Sequence, residues 1–251
     1  MDVLLVDDAI LIDDVAEGLT RRGHQVHTAS DPHQARQALN RHTFDVALVD
    51  ILYTQEVDSL EENRRKKKLS ITHGPFIASC LMVLKSISDL QPNVRTALWS
   101  ESDDKRLLHM RYAQEHFGVK NFYRKNTSGS SRLDQAIRET AAGKKYIDPG
   151  LEEEGIGAPW IPLGMTLLAN PRHLPLWRAL ACGARSNHAI KKAVTQAGLS
   201  YKRDDLGEMA REASSTRPFD DLDGNPLAYC SVYAQIHQAF LFDATIAEQI
   251  K

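Results

Sequence analysis

The sequence predicts an α/β protein in which a doubly wound, five-stranded parallel sheet is followed by a small all-α domain. In the first half of the 251 residues, short apolar runs alternate strictly with segments of helical periodicity. Such alternation implies parallel strands, because helical crossovers then cover both faces of one sheet. After a stretch rich in glycine, proline and acidic residues, the second half shows only helical patterns.

Five apolar runs predict the strands. Each is short and bounded by polar or turn residues, as is typical of strands buried on both faces. They are Val3–Val6, Gln25–Ala29, Asp45–Val49, Val94–Ser100 and Asn121–Arg124.

Helical spacing follows each of these runs. Leu11, Val15 and Leu19 mark the first helix, and Pro32 suits the first turn of the second because its fixed φ fits that position. The remaining helices are expected over residues 76–90, 105–117 and 131–142.

Polar residues stand where four of the predicted strands end. Asp7 and Asp8 follow the first strand, Asp50 the third, Ser100 closes the fourth and Lys125 follows the fifth. Ligands of open parallel sheets collect at the carboxyl ends of the strands, so these side chains are expected to converge on one edge. Any one of them alone could be a helix cap or an ordinary surface group; their joint placement indicates a site.

Carboxylates held together repel one another, and a hard divalent cation with oxygen ligands relieves that repulsion. Asp8 and Asp50, with Asp7 acting through water, would hold Mg²⁺. Asp50 could then attack a phosphoryl group as a carboxylate nucleophile and form an acyl phosphate. Lys125 and Ser100 would neutralise the oxygens of the transferred group.

These residues resemble the CheY-like receiver domains of two-component response regulators. The similarity covers about residues 1–145 and rests on "LLVDD", "DVALVD", "ALWS" and "FYRK" in that order. It implies a phosphoacceptor at Asp50, a phosphate donor in the phosphohistidine of a sensor histidine kinase, and no enzymatic activity beyond this autocatalysed phosphotransfer. The resemblance further implies these roles: metal ligands Asp7, Asp8, Asp50 and the Leu52 carbonyl; switch residues Ser100 and Phe122; phosphate-pairing lysine Lys125.

The sequence departs from that family after the phosphoacceptor. An insertion at about 51–75, carrying the basic run Arg64–Lys68, lengthens the loop by about twenty residues, and such loops are functional or disordered. The basic run is either a solvated segment or a flap or docking element. Asn126 replaces the usual proline, and the bulky Trp99 precedes Ser100.

Domain boundaries follow from composition. Residues 1–142 form the expected receiver, 143–160 a linker rich in glycine and acidic residues, and 161–251 a helical output domain. Helices are predicted over 173–182, 187–197 and 200–213, with Gly183 and Gly198 between them. This layout is that of a helix-turn-helix, and residues 179–190 loosely resemble NarL/LuxR-type output domains.

Charge favours duplex DNA as the partner of the second half. Residues 155–203 contain seven Lys or Arg and no Asp or Glu, and basic surfaces supply most of the non-specific affinity for DNA. The residues expected to face DNA are Arg185, Ser186, Asn187, His188, Lys191, Lys192, Lys202 and Arg203. The alternatives are a basic helix packed in a bundle, an adaptor that binds a protein, and an enzymatic output.

Phosphorylation would control dimerisation and promoter binding, and so transcription, unless the receiver acts as a constitutive dimer without phosphate. The apolar pattern over residues 226–250 predicts a long helix that is either core or a homodimer face.

Three widely spaced cysteines favour a reducing cytoplasm, and no apolar stretch of about twenty residues predicts a membrane span.

Overall fold

The computed structural model describes two compact units. Unit 1 comprises residues 1–56 and 78–158, and unit 2 comprises residues 57–77 and 159–251. The described residues are 1–9, 12–66, 69, 71–72, 76–101, 104–125, 130–153, 155–157, 161–202, 204–215 and 225–249.

Unit 1 contains a six-stranded sheet in the order β2-β1-β3-β4-β5-β6, and every pairing in it is parallel. The strands are β1 (Asp2–Val6), β2 (Gln25–Ala29), β3 (Val46–Val49), β4 (Arg95–Ser100), β5 (Asn121–Arg124) and β6 (Tyr146–Ile147). The predicted α/β class is confirmed, with one strand more than the five expected. The strand order reverses between β1 and β3.

Helices alternate with these strands. They are α1 (Ile12–Thr20), α2 (Pro32–Arg41), α3 (Thr54–Arg65), α4 (Cys80–Leu90), α5 (Leu107–Phe117), α6 (Ser130–Ala141) and α7 (Pro149–Glu153). The fourth starts at Cys80 rather than at residue 76, because the extended residue Ser79 caps it by accepting a hydrogen bond from the Leu81 N–H.

The sheet is buried on both faces. Alternate residues of a strand point to opposite sides, and neighbours such as Leu4 and Leu5, or Ala47 and Leu48, are all fully buried. Leu5, Leu48 and Trp99 pack with Leu133 and Ile137 of α6 in one apolar cluster. This packing holds the strand ends, and the polar residues that follow them, in fixed positions.

Residues 143–160, which composition predicted as a linker, contain β6 and α7. The Tyr146 N–H donates to Asn121 Oδ1 at 2.7 Å, and the Asp148 N–H donates to the Phe122 carbonyl at 3.0 Å. Arg132 on α6 donates to the Tyr146 hydroxyl and to Asp148. Three of the four glycines that suggested a linker, Gly143, Gly155 and Gly157, stand at turns with positive φ, and Gly150 lies in α7.

Helices form most of unit 2 in its described residues. Besides most of α3 it contains α8 (His173–Ala181), α9 (Asn187–Gln196), α10 (Asp205–Ser214), α11 (Pro226–Ile236), α12 (Gln238–Leu241) and α13 (Ala244–Gln249). The third predicted helix starts at Asp205 rather than at Ser200. The apolar tail, predicted as one long helix, forms three short ones.

The apolar stripe of that tail lies in the core of unit 2. Tyr233, Phe240 and Phe242 are fully buried, and Tyr233 packs against Trp177 of α8 with ring centroids 5.3 Å apart. Among the described residues, no helix combines the length and apolar character needed to cross a bilayer.

The inserted segment is part of unit 2. Ile77 pairs with Asp243 as an isolated bridge, and its backbone exchanges hydrogen bonds of 2.9 Å with Phe242 and Ala244. The buried Arg178 of α8 donates to the carbonyls of Ile71 and Leu241. The described residues Ile71 and Ile77 are therefore held by α8 and by the C-terminal helices, whereas Lys67 and Lys68 of the basic run lie outside the described residues.

Candidate functional site

The first part of the site lies where the strand order reverses. Val6 and Val49 are partners in the β1–β3 ladder, so Asp7 and Asp50 leave the sheet side by side. Asp7 is 1% exposed and Asp50 is 3% exposed. Two carboxylates are thus buried together at the crevice in which open α/β sheets bind ligands.

Asp50 is held by three donors. Its Oδ1 accepts hydrogen bonds from Ser100 Oγ at 2.8 Å and from the Ile51 N–H at 2.7 Å, and its Oδ2 accepts one from Lys125 Nζ at 2.7 Å. Ser100 ends β4 and Lys125 follows β5, so three neighbouring strands deliver these groups. The carboxylate has a fixed orientation.

Lys125 bridges the two buried carboxylates. Its Nζ lies 2.8 Å from Asp7 Oδ2 and 2.7 Å from Asp50 Oδ2. Burial acts to lower the pKa of Lys125, but the two carboxylates outweigh it and raise the pKa. Burial is also the largest influence on Asp7, whose pKa is raised despite the attraction of Lys125. The ammonium therefore stays charged and neutralises part of the acidic pocket.

Asp8 completes a carboxylate group suited to a divalent cation. One oxygen from each of Asp7, Asp8 and Asp50 lies within 4.8 Å of the others. Hard oxygen donors at this spacing fit Mg²⁺, which binds through one or two carboxylates and keeps several waters. The side chain of Leu52 is buried, and the role of its carbonyl as a further ligand stays a prediction.

Thr54 is a residue of the site that the analysis of the sequence did not single out. It begins α3 only four residues after Asp50, and its N–H donates to Asp8 Oδ2. The first backbone N–H of α3 thus donates a hydrogen bond to a predicted metal ligand. Its proximity to Asp50 along the chain was the one available signal, but the fold of the insertion was needed to show the contact.

Aromatic groups line the same pocket. Lys125 Nζ lies 5.3 Å from the centroid of the Trp99 ring, within the range of a cation–π interaction. Tyr53 is 1% exposed, and its pKa is raised well above its ordinary value, first by burial and then by nearby groups that include Asp50. The predicted switch residue Phe122 is fully buried in β5.

The structure places the predicted DNA-binding residues on the surface of unit 2. Seven of the eight are exposed: Arg185, Ser186, Asn187, His188, Lys191, Lys192 and Lys202. The eighth, Arg203, lies outside the described residues. Ser186 caps α9 by accepting a hydrogen bond from the Ala189 N–H at 3.1 Å, and Ile190 and Val194 face the core.

No family model matches the chain, and no curated protein matches it. Solved structures do match. One is a CheY-like response regulator receiver domain protein from Methanospirillum hungatei JF-1, with 17% identity, a TM-score of 0.43, and coverage of 57% of this chain and 94% of that one.

Two further structures are similar to the chain. A LuxR-family two-component response regulator from Aurantimonas sp. SI85-9A1 has 20% identity and a TM-score of 0.44 over 61% of this chain and 93% of that one. A response regulator protein from Burkholderia pseudomallei, with a phosphorylated aspartic acid, calcium ion and citrate, has 19% identity and a TM-score of 0.42 over 77% and 92%.

Proposed function

We propose that the chain is a response regulator in which Asp50 accepts a phosphoryl group from the phosphohistidine of a sensor histidine kinase in the cytoplasm. One observation carries the proposal. A buried carboxylate accepts hydrogen bonds from a lysine and a serine, beside two further carboxylates that could hold Mg²⁺. This set supplies a nucleophile, counter-charges for phosphoryl oxygens and a metal site within one pocket.

The residues divide the chemistry among them. Bound Mg²⁺, held by Asp7, Asp8 and Asp50 with the Leu52 carbonyl, would supply charge neutralisation at the phosphoryl oxygens. An Asp50 oxygen attacks phosphorus in line, the P–O bond forms, and the P–N bond to the kinase imidazole breaks. Lys125 and Ser100, which now bind Asp50, transfer their hydrogen bonds to oxygens of the phosphoryl group.

Mass spectrometry after incubation with a small phosphodonor and Mg²⁺ tests this proposal. The wild type should gain one phosphoryl group that hydroxylamine removes, as expected for an acyl phosphate, and Asp50→Asn should gain none. Asp89→Asn, which changes an exposed carboxylate of α4, should behave as the wild type does. An unmodified wild type would contradict the proposal and favour a receiver that works without phosphate.

Phosphorylation adds about two negative charges at Asp50. Ser100 and Lys125 would turn towards that charge, and the movement would bias the surface of α5 and β5 and hence homodimerisation. Light scattering with and without phosphodonor measures this step. A mass that does not change with phosphorylation would contradict it.

DNA is the proposed partner of unit 2. His188, Lys191 and Lys192 are spaced three and four residues apart, so they share one exposed face of α9 opposite the buried Ile190 and Val194. A face that carries two lysines and projects from a packed helix can neutralise phosphates along a groove.

Titration of duplex DNA at several salt concentrations tests this assignment. Affinity should fall steeply with salt, and replacing Lys191 and Lys192 by Gln should reduce the log–log slope by roughly 2, at about 0.9 per lost phosphate contact. Lys120→Gln, an exposed lysine of unit 1, is the matched control. No retention on DNA at low salt would favour an adaptor that binds a protein.

A further inference from the structure

A second cluster of potential metal ligands lies in unit 2, far along the chain from the pocket at Asp50. His173 is the first residue of α8, and Asp205, Glu208 and Glu212 lie on α10. Ligand atoms of His173, Asp205 and Glu208 all lie within 4.8 Å of one another. The spacings of three and four residues place the three acids on one face of α10, which packs towards the start of α8.

The hydrogen bonds of His173 define its tautomer. The side chain is fully buried, and Nδ1 lies 3.0 Å from Glu212 Oε2. Asn170 Oδ1 accepts the Arg172 N–H, so its amide nitrogen is the atom that faces His173 Nε2 at 3.1 Å. Nε2 is therefore the acceptor and Nδ1–H the donor. A histidine that donates one N–H to a carboxylate and directs its other lone pair to a site is the arrangement found around bound metals.

The distance between His173 and Glu208 also fits a metal. Nε2 lies 3.6 Å from Glu208 Oε2, which is too long for a hydrogen bond. Two ligand atoms of tetrahedral Zn²⁺, with bonds of about 2.0–2.1 Å, stand about 3.3 Å apart. Only a few tenths of an ångström of movement, with displacement of the Asn170 amide, would place an ion between them.

The charges of the cluster also favour a bound metal ion. Asp205 is 6% exposed, and its Oδ2 accepts the Lys202 N–H at 2.7 Å, which fixes the carboxylate. Within the described part of the chain, His173 is the only basic side chain in contact with Glu208 and Glu212. Three carboxylates thus surround one imidazole, and a dication would relieve their repulsion.

We propose that His173, Asp205 and Glu208 bind a divalent transition-metal ion such as Zn²⁺, with Glu212 as the positioning residue for His173. One imidazole nitrogen among carboxylate oxygens favours Zn²⁺ and its first-row neighbours over Mg²⁺. The ion would join the start of α8 to the first turns of α10, because each helix supplies at least one ligand.

Zn²⁺ titration of the full chain in excess Mg²⁺ tests the proposal, because Mg²⁺ would fill the pocket at Asp50 under the proposed function. The wild type should bind one Zn²⁺ per chain, and Co²⁺ in its place should give visible absorption bands of a tetrahedral site. His173→Gln should weaken Zn²⁺ binding at least about 100-fold, and Glu212→Gln about 10- to 100-fold. His33→Gln, an exposed histidine of α2, should bind Zn²⁺ as the wild type does.

Glu208→Gln keeps the test decisive if loss of the buried histidine prevents folding. Glu208 is half exposed, so its replacement should leave the fold intact and still weaken Zn²⁺ binding about tenfold or more. Absence of Zn²⁺ binding by the wild type, or unchanged affinity in both Glu208→Gln and Glu212→Gln, would overturn the proposal. The cluster would then be an ion pair between helices.

Discussion

At the residue scale, the stability of the acidic pocket depends on the one ammonium among its described groups. Lys125 is 18% exposed and is shared between Asp7 and Asp50. Removing one member of such a group leaves the remaining charges buried without compensation, which costs more than the intact pair contributes.

Replacement of Lys125 by Gln should therefore destabilise the protein when Mg²⁺ is absent. The free energy of unfolding should fall by roughly 2–3 kcal/mol. This loss does not exceed the smallest loss expected when one partner of a fully buried ion pair is removed, because Lys125 is partly solvated. Added Mg²⁺ should restore much of the loss by neutralising the carboxylates. Urea unfolding measures both effects, with Lys120→Gln as control. Equal stability of Lys125→Gln and Lys120→Gln would show that solvent already compensates the charges of Asp7 and Asp50.

Asp7 gives a prediction about pH. Burial, the largest influence, raises its pKa above the ordinary value of 3.8, so the folded state retains this proton to a higher pH than the unfolded state does. The wild type must then lose stability relative to Asp7→Asn as the pH rises from 3.8 through the folded pKa. At pH values above the folded pKa of Asp7, the difference in stability between the two proteins should no longer change with pH.

Without Mg²⁺, Asp7→Asn should consequently be the more stable protein at pH 7, by up to about 1 kcal/mol, as is common when a functional charge is removed. Urea unfolding between pH 4 and 7.5 measures the difference, and Asp89→Asn provides an exposed control. Lower stability of Asp7→Asn at pH 7 would mean that the attraction of Lys125 outweighs burial.

At the scale of elements, the first residue of α3 contacts one of the predicted metal ligands. Its N–H donates to Asp8 Oδ2, so a bound Mg²⁺ would compete with this bond for the carboxylate. Proline is tolerated at the first position of a helix and has no N–H. Thr54→Pro can thus remove the donor without breaking α3.

Thr54→Pro should bind Mg²⁺ about three- to tenfold more tightly, since a hydrogen bond to a charged group contributes about 1.5–3 kcal/mol and only part of it opposes the metal. Thr54→Ala keeps the N–H and should match the wild type. Isothermal titration calorimetry compares the three proteins. Weaker binding by Thr54→Pro would show that the bond positions Asp8 for the ion instead of competing with it.

Elements differ in how far the sequence could predict them. The five longer strands were predictable because each is an apolar run closed by polar residues, and parallel strands bring their carboxyl ends to one edge. That rule alone predicted that Asp50, Ser100 and Lys125 lie close together. The two-residue strand β6 has no such signal, and it depends on Asn121 and Arg132 from other elements. His173 and Glu208 meet only because α8 and α10 both pack against α11.

At the scale of the whole molecule, unit 2 is assembled from two separate parts of the chain. Composition indicated a boundary near residue 160, but it gave no sign that residues 57–77 would join the C-terminal helices. Leu60, Ile71 and Ile77 are each buried within unit 2, which explains why an insertion rich in charge nevertheless carries apolar residues.

This division predicts how truncation will behave. A protein of residues 1–158 keeps the insertion but loses the helices that cover its apolar residues, so it should self-associate and bind hydrophobic dyes. Glu56 Oε2 accepts the Ala78 N–H at 3.1 Å, so the two ends of the insertion are close together. A flexible linker of about four residues, which spans roughly 11 Å, can replace residues 57–77.

The truncated protein with this linker should be monodisperse, unfold in one transition and still accept phosphate at Asp50, because all the described groups of the pocket belong to unit 1. Size-exclusion chromatography, dye binding and mass spectrometry compare it with residues 1–158 that retain the insertion. Identical behaviour of the two truncated proteins would mean that residues 57–77 need no cover from the C-terminal helices. Loss of phosphorylation in the linker protein alone would instead mean that α3 beyond its first turn helps to build the pocket.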